Sequence, residues 1–253
     1  MKNCALAFGS HADDHEGTSG PLLMKLAERG WQAYEVMGTC NHAGIRGDFS
    51  PREVWETRTR EAKEAALVLG VEVIWLDLKQ ATAGARDRTG KLQWTSVDPE
   101  AEDLPESCRG HLPITVACQD DAEIDRVAEI LVEHEPGLIT THVINDLGTE
   151  HHALTALVVQ AWDRASREVE LGPVYMWIRS GPSVTVKIPA DTIVDISPYA
   201  ERAIEAISKH VSQGYGDPER WEWIRRMYRY WGSFIGVEYA MGYKLLRGMH
   251  AAL

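Results

Sequence analysis

Two polar clusters in this chain contain the residue types that bind cations and move protons. The first is Ser10-His11-Ala12-Asp13-Asp14-His15-Glu16, and the second is Asn145-Asp146-Leu147-Gly148-Thr149-Glu150-His151-His152. A divalent ion held by imidazole and carboxylate, with one position left open, lowers the pKa of bound water from about 15.7 to about 7 and so supplies a nucleophile at neutral pH. His11, Asp14 and one histidine of the second cluster can provide three such ligands. Asp13 is then a carboxylate beside the ion with no ligand duty. Such a group can take the water proton and pass it to a leaving amine, a role typically worth about 10²- to 10⁴-fold. Each cluster also has a plainer interpretation. Two aspartates ahead of a helix serve as an N-cap with favourable dipole charge, and His151-His152 serves as a solvated helix start.

What favours the chemical interpretation is where the elements put the clusters. Strand-like and helix-like patterns alternate through about the first 180 residues, which predicts an α/β fold, a mostly parallel sheet with covering helices. Asn3 to Ser10 is a short buried-type strand, and the first cluster leaves its carboxyl end. A helix is expected near Ser19 to Glu28, with Pro21 in its first turn and Gly30 as its stop, then a strand over Gln32 to Met37. Ser50-Pro51-Arg52-Glu53 is a capping box that opens a helix to Leu69, closed by Gly70, and Val71 to Leu76 is the next strand. Residues 79 to 113 are polar and rich in Gly, Pro and Asp, which predicts a surface excursion rather than a core element, and a natural specificity loop.

Asp121 to Glu133 carries Ile124, Val127, Ala128 and Leu131 at helical spacing, and Gly137 to His142 is the strand that leads into the second cluster. His151 to Arg167 is expected to be helical. Val174 to Ile178 and Ser183 to Ile188 are expected as strands joined by Ser180-Gly181-Pro182, followed by helical patterns at Pro198 to Ser212 and near Pro218 to Phe234. The segment from about 190 to 253 extends the same body, so residues 1–253 are expected to form a single domain. Open parallel sheets present their sites at the carboxyl ends of strands, and both clusters fall there.

Bulk properties exclude several classes of function. The chain of 253 residues is long enough to bury a core without disulfides. Cys4, Cys40, Cys108 and Cys118 contain no CxxC pair, which suits free thiols in a reducing cytoplasm. The apolar run Cys4 to Gly9 is too short for a signal peptide, and no stretch reaches the roughly eighteen apolar residues of a membrane helix. A formal charge of -12 repels phosphate backbones and anionic headgroups. The expected partner is therefore a small-molecule substrate, with no nucleic acid and no membrane. Phe8-Gly9-Ser10-His11 lacks the GxGxxG spacing of dinucleotide sites. The Trp/Tyr-rich segment Trp221 to Tyr243 offers either a surface for a homo-oligomer or packing for its own sheet.

At its two clusters the sequence resembles the LmbE-like, or PIG-L, family of metal-dependent N-deacetylases. The family pattern Ala-His-Pro-Asp-Asp-Glu is similar to Ser10-His11-Ala12-Asp13-Asp14-His15, and Arg-Arg-Glu-Glu-Ala with a Leu-Gly-Val end to Arg58-Thr59-Arg60-Glu61-Ala62 and Leu69-Gly70-Val71. Thr-His followed by Asn-Asp-Tyr-His-Pro-Asp-His aligns without gaps on Thr141-His142 and on Asn145 to His151. His210-Val211-Ser212-Gln213, Arg229-Tyr230-Trp231-Gly232 and Gly236-Val237-Glu238-Tyr239-Ala240 resemble the C-terminal motifs.

The resemblance implies a Rossmann-like fold, a divalent metal ion with zinc as the expected one, ligation by His11, Asp14 and His151, and Asp13 as general base. It matches Arg58 to an arginine that contacts substrate. The implied activity is hydrolysis of a C–N amide bond in a small polar or N-acetylated sugar-like substrate. Three positions depart from the pattern. Ala12 replaces a proline, Glu150 replaces an aspartate, and Gly148 stands where relatives have a histidine that helps stabilise the oxyanion. His15, His42, His142 and His152 are the nearby candidates to replace it. Two alternatives follow from these features. One is the same chemistry on an aromatic or hydrophobic amide, with Trp55, Trp75, Trp94 and Trp177 available to line a pocket. The other is a non-catalytic metal- or ligand-binding module.

Overall fold

The first strand, β1 (Lys2–Gly9), is almost wholly apolar because both of its faces are covered. Side chains alternate across a strand, so Cys4, Leu6 and Phe8 point one way and Ala5 and Ala7 the other. All five are buried. This computed structural model describes residues 1–45, 47–86, 92–98, 100–144, 148–178 and 189–248.

After β1 come α1 (Gly20–Ala27), β2 (Gln32–Thr39), α2 (Pro51–Leu69) and β3 (Glu72–Leu78). They are followed by β4 (Thr82–Arg86), β5 (Leu92–Ser96), α3 (Glu106–Arg109), α4 (Ile114–Ala117), α5 (Asp121–His134), β6 (Pro136–Thr141) and α6 (Thr149–Ala165). The chain continues through β7 (Val174–Ile178), β8 (Thr192–Asp195), α7 (Ala200–Ile207), α8 (Pro218–Ile235) and β9 (Ala240–Arg247). Seven strands form one sheet in the order β3-β2-β1-β6-β7-β9-β8. The first five in that order are parallel, and β9 runs antiparallel to both β7 and β8.

Helices cover both faces. Leu6 and Phe8 pack with Ile124, Val127 and Leu131 of α5 and with Leu154, Leu157 and Val158 of α6. On the other side Ala5 and Ala7 are small enough for Leu23 of α1 to lie against them. Met24 of α1 then meets Ala65 and Leu69 of α2 and Ala203 and Ala206 of α7. Strand order reverses direction between β1 and β6, and a crevice opens at such a switch point.

Local signals mark the helix ends as the sequence predicts. Ser50 Oγ accepts from Glu53 N, Ser50 N donates to Glu53 Oε2, and Gly70 closes α2 with a left-handed φ of 73°. Three expectations need correction, and two strands are additions. The 79–113 excursion carries an antiparallel β4–β5 pair and α3, and it buries Leu104 and Cys108. A few apolar anchors suffice to dock a segment whose average composition is polar. The helix expected over Pro198 to Ser212 stops at Ile207 and is followed by a 3₁₀ turn at Val211–Gln213. In the second cluster, α6 begins at Thr149, two residues before the expected His151. The strands β8 and β9 carry no clear signal in the sequence, and β9 pairs between β7 and β8.

The strand expected at Ser183 to Ile188, with its turn at 180–182, lies outside the described residues. In the aromatic segment, Tyr228, Trp231, Tyr239 and Tyr243 pack onto the chain's own sheet, whereas Tyr230 and Phe234 are exposed. The four cysteines are free and buried. Among the described residues, no helix is long and apolar enough to cross a membrane.

Candidate metal centre

The site is built where β1 and β6 end side by side. Their parallel register pairs Ala7 with Thr140, so the chain leaves both strands at one level, with Ser10 to Glu16 facing His142 and the start of α6. The first loop folds back sharply. His11 N donates to Asp14 Oδ2 at 2.8 Å, and a Cβ on Gly9 would lie 2.6 Å from His15 Cε1 and 2.9 Å from Asp14 Cβ. Only glycine permits that approach. Ala12 donates its backbone N–H to Asn41 Oδ1 at 2.9 Å. The proline of the resembling pattern has no such donor, so the departure at Ala12 supplies a bond that ties this loop to the one after β2.

Three side chains meet in this crevice. His11 Nδ1 lies 3.3 Å from His151 Nε2 and 3.5 Å from Asp14 Oδ2, and His151 Nε2 lies 3.6 Å from Asp14 Oδ2. With metal–ligand bonds of 2.0–2.2 Å, the corners of a zinc tetrahedron stand about 3.3–3.6 Å apart. The triangle therefore fits one divalent ion with a fourth position left over. His152, the other histidine of the second cluster, is exposed and lines a shallow groove with Ile144 and Thr155, so the choice between the two falls to His151. Asn145, Asp146 and Leu147 lie outside the described residues.

Electrostatics suit a cation. Burial works against a charged His11, but hydrogen bonds and charge from Asp14 and Glu150 outweigh it, and its pKa is pushed up to about 10. Burial likewise opposes ionisation of Asp14, yet the charge of His151 and a hydrogen bond from His11 hold it well below the usual carboxylate range. Carboxylates that retain a proton on His11 equally favour a cation in the proton's place.

Asp13 and Arg58 are paired. Arg58 Nη2 donates to Asp13 Oδ1 at 2.9 Å and Nη1 donates to Ala43 O at 2.8 Å, with the Arg58 side chain buried. An arginine expected from the resemblance to contact substrate thus also anchors the neighbouring carboxylate. Behind this loop, His210 Nε2 meets Glu16 Oε1 at 2.6 Å, and Ser212 donates to Glu61 from both N and Oγ.

The histidines around Gly148 take distinct places. A Cβ at position 148 would lie 2.9 Å from His151 Nδ1, so a side chain there would displace the ring beside it. His142 accepts from Ser10 N at 2.9 Å and stacks on His151 with ring centroids 3.9 Å apart. His15 is enclosed and donates from Nε2 to Val36 O at 3.2 Å. His42 is buried with Nδ1 3.2 Å from Cys40 Sγ, and its Nε2 has no hydrogen-bond partner among the described residues. Burial lowers its pKa to about 4, against the charge of Glu150 and with those of Arg58 and Lys79.

Trp177 is fully buried, edge-on to His142 at 4.7 Å and to His15 at 6.5 Å, so it backs the site and does not line a pocket. Glu150 was singled out in the sequence only as a departure. Its Oε2 lies 2.6 Å from His11 Nε2. An acidic residue in the first turn of a helix ordinarily signals a dipole partner, so no local pattern marks this contact.

No curated protein matches the chain in sequence. Among solved structures it is similar to a conserved protein of Thermus thermophilus, with 19% identity over 100% of this chain and 98% of that one and a TM-score of 0.70. It is similar to the 4-carboxy-2-hydroxymuconate hydratase of Pseudomonas putida, with 18% identity over 100% and 99% and a TM-score of 0.70. A third is the N,N'-diacetylchitobiose deacetylase of Pyrococcus horikoshii, with 19% identity over 96% and 84% and a TM-score of 0.68. At such identities these likenesses establish the fold. The model of the PIG-L family, described as GlcNAc-PI de-N-acetylase, matches residues 6–162, which is more than half of the chain and includes both clusters, and the chain belongs to that family.

Proposed function

We propose that this protein is a metal-dependent hydrolase that opens the C–N amide bond of a small N-acylated, sugar-like substrate. The observation that carries the reading is the triangle of His11, Asp14 and His151, with ligand atoms 3.3–3.6 Å apart and Asp13 adjacent in sequence to one corner. Family membership supports amide hydrolysis, and the deacetylase among the similar structures agrees with it. A divalent ion, expected to be zinc, would supply Lewis acidity toward the acyl carbonyl and lower the pKa of bound water.

The chain's own groups do the rest. Arg58 holds Asp13 by Oδ1, which directs the other oxygen, Oδ2, to take a proton from the attacking water. Asp13 then returns that proton to the departing nitrogen, leaving a carboxylic acid and a free amine. The neutral His42 imidazole carries a proton on one nitrogen. With Nδ1 against the Cys40 thiol, Nε2 is the nitrogen available to donate to the carbonyl oxygen as negative charge develops there. That would offset the missing donor at position 148.

The test is release of free amine from a panel of N-acetylated sugars and a panel of aromatic amides, with protein stripped by chelator and then reloaded with zinc. Amine release from sugar amides by the reloaded protein alone, lost at least about 10²-fold in Asp13→Asn, is the expected result. No release from either panel, or full turnover by Asp13→Asn, overturns the reading.

A further inference from the structure

Glu150 uses both oxygens of one buried carboxylate for two different parts of the molecule. Oε2 lies 2.6 Å from His11 Nε2, while Oε1 accepts from the backbone N–H groups of Ala81 at 2.5 Å and Thr82 at 3.0 Å. The residue is 1% exposed, so little water can replace any of these donors. Its main chain is held as well, since Ser10 Oγ donates to Glu150 O at 3.1 Å. Charge-assisted bonds of this kind are the strong ones, and a buried carboxylate that loses a partner bears the full desolvation cost.

Each end of the arrangement has a consequence. An imidazole presents to a cation whichever nitrogen its other hydrogen bond leaves unprotonated. A carboxylate on Nε2 keeps the proton there, so Nδ1 is the nitrogen turned to Asp14 and His151. Ala81 and Thr82 stand at the root of the 79–113 excursion. Thr82 opens β4, Ala81 O accepts from Val97 N at 3.0 Å, and Lys79 bonds Leu112 and Ile114 through its main chain. Glu150 thus bonds both a corner of the metal triangle and the base of the β4–β5 pair.

We infer that Glu150 is a positioning residue that couples cation binding at His11 to the placement of the β4–β5 excursion. It sets the His11 ring for ligation and, through the Ala81 and Thr82 amides, fixes where the excursion leaves the sheet. The role rests on the metal-centre reading given above, but it needs no hydrolysis to be observed. Losing a hydrogen-bond partner behind a ligand histidine typically weakens metal affinity about 10- to 100-fold.

Two measurements on the full chain test it, neither of them activity. Zinc affinity is read by competition with a chromophoric chelator, and amide hydrogen exchange is followed in peptides covering residues 79–86, with and without zinc. In the wild type, zinc is expected to slow exchange in those peptides. Glu150→Gln keeps the length but has a single acceptor oxygen. It should bind zinc about 10- to 100-fold more weakly and, at saturating zinc, lose the slowing. Ala81→Pro removes one of the two amide donors to Glu150 Oε1 while Glu150 and His11 themselves stay unsubstituted, and serves if Glu150→Gln does not fold. It should reduce the zinc-dependent slowing. Wild-type protein that takes up zinc with no change in exchange overturns the coupling, as does a folded Glu150→Gln with wild-type affinity and slowing. Wild-type protein that takes up no zinc overturns the metal-centre reading itself, and the coupling with it.

Discussion

Arg58 donates to Asp13 Oδ1 from Nη2 and to the Ala43 carbonyl from Nη1, so one guanidinium ties the proposed base to the loop that carries His42. The planar fork suits two acceptors at fixed angles, which a lysine ammonium does not reproduce. Arg58→Lys should therefore lower kcat about 10²-fold through a misplaced Asp13, with KM little changed. A rise in KM with kcat intact would show instead that Arg58 acts on substrate and not on Asp13.

Gly148 is the residue against which His151 stands, and a Cβ there would lie 2.9 Å from the ring's Nδ1, too close for the ring to stay in place. Gly148→Ala should weaken zinc binding by displacing the His151 ring. Gly148→His, which restores the residue type of the resembling pattern, should weaken it further and not raise turnover. Metal titration of the two variants checks this, and a more active Gly148→His would contradict it.

His42 is held at a pKa of about 4, against an ordinary 6.5, chiefly by burial. His42→Phe should keep zinc affinity while lowering kcat about 10²- to 10³-fold, the usual cost of one oxyanion donor. The same group makes folding sensitive to acid. Below pH 6.5 the unfolded chain takes up a proton that the folded one refuses, so this stability is present above pH 6.5 and lost as pH falls toward 4. Urea melts between about pH 4 and 7 should show a steeper loss in the wild type than in His42→Phe.

Glu35 is fully buried on β2, and neither carboxyl oxygen has a hydrogen-bond partner among the described residues. Burial, then the charge of Glu16, pushes its pKa well above the usual range. The folded chain keeps this proton while the unfolded chain releases it above about pH 4.5, so the contribution is lost as pH rises. Glu35→Gln should raise Tm by a few degrees at about pH 7–8 and by less at about pH 5. A variant that melts lower at both pH values would contradict the assignment.

Much of the molecule was legible before any tertiary contact was known. The capping box at Ser50, the stop at Gly70, the two-residue alternation of β1 and the helical spacing of Ile124, Val127 and Leu131 are local signals, each written within one turn or strand. So was the placement of both polar clusters after strands, which named His11, Asp13 and Asp14 as candidates. The strands β8 and β9 were not legible, because β9 is called into the sheet by β7, some sixty residues earlier in the chain.

From the sequence came the residue types and their order along the chain, since caps, turns and periodicity depend on near neighbours. Tertiary structure decided that the His151 ring stands against His11 and His142, that Arg58 holds Asp13, and that Glu150 serves both a ligand and a loop. His11 and Glu150 are 139 positions apart and meet only because the parallel register of β1 with β6 brings Ala7 level with Thr140. Contacts of that kind are set by how whole elements pack, and no local pattern of residues encodes them.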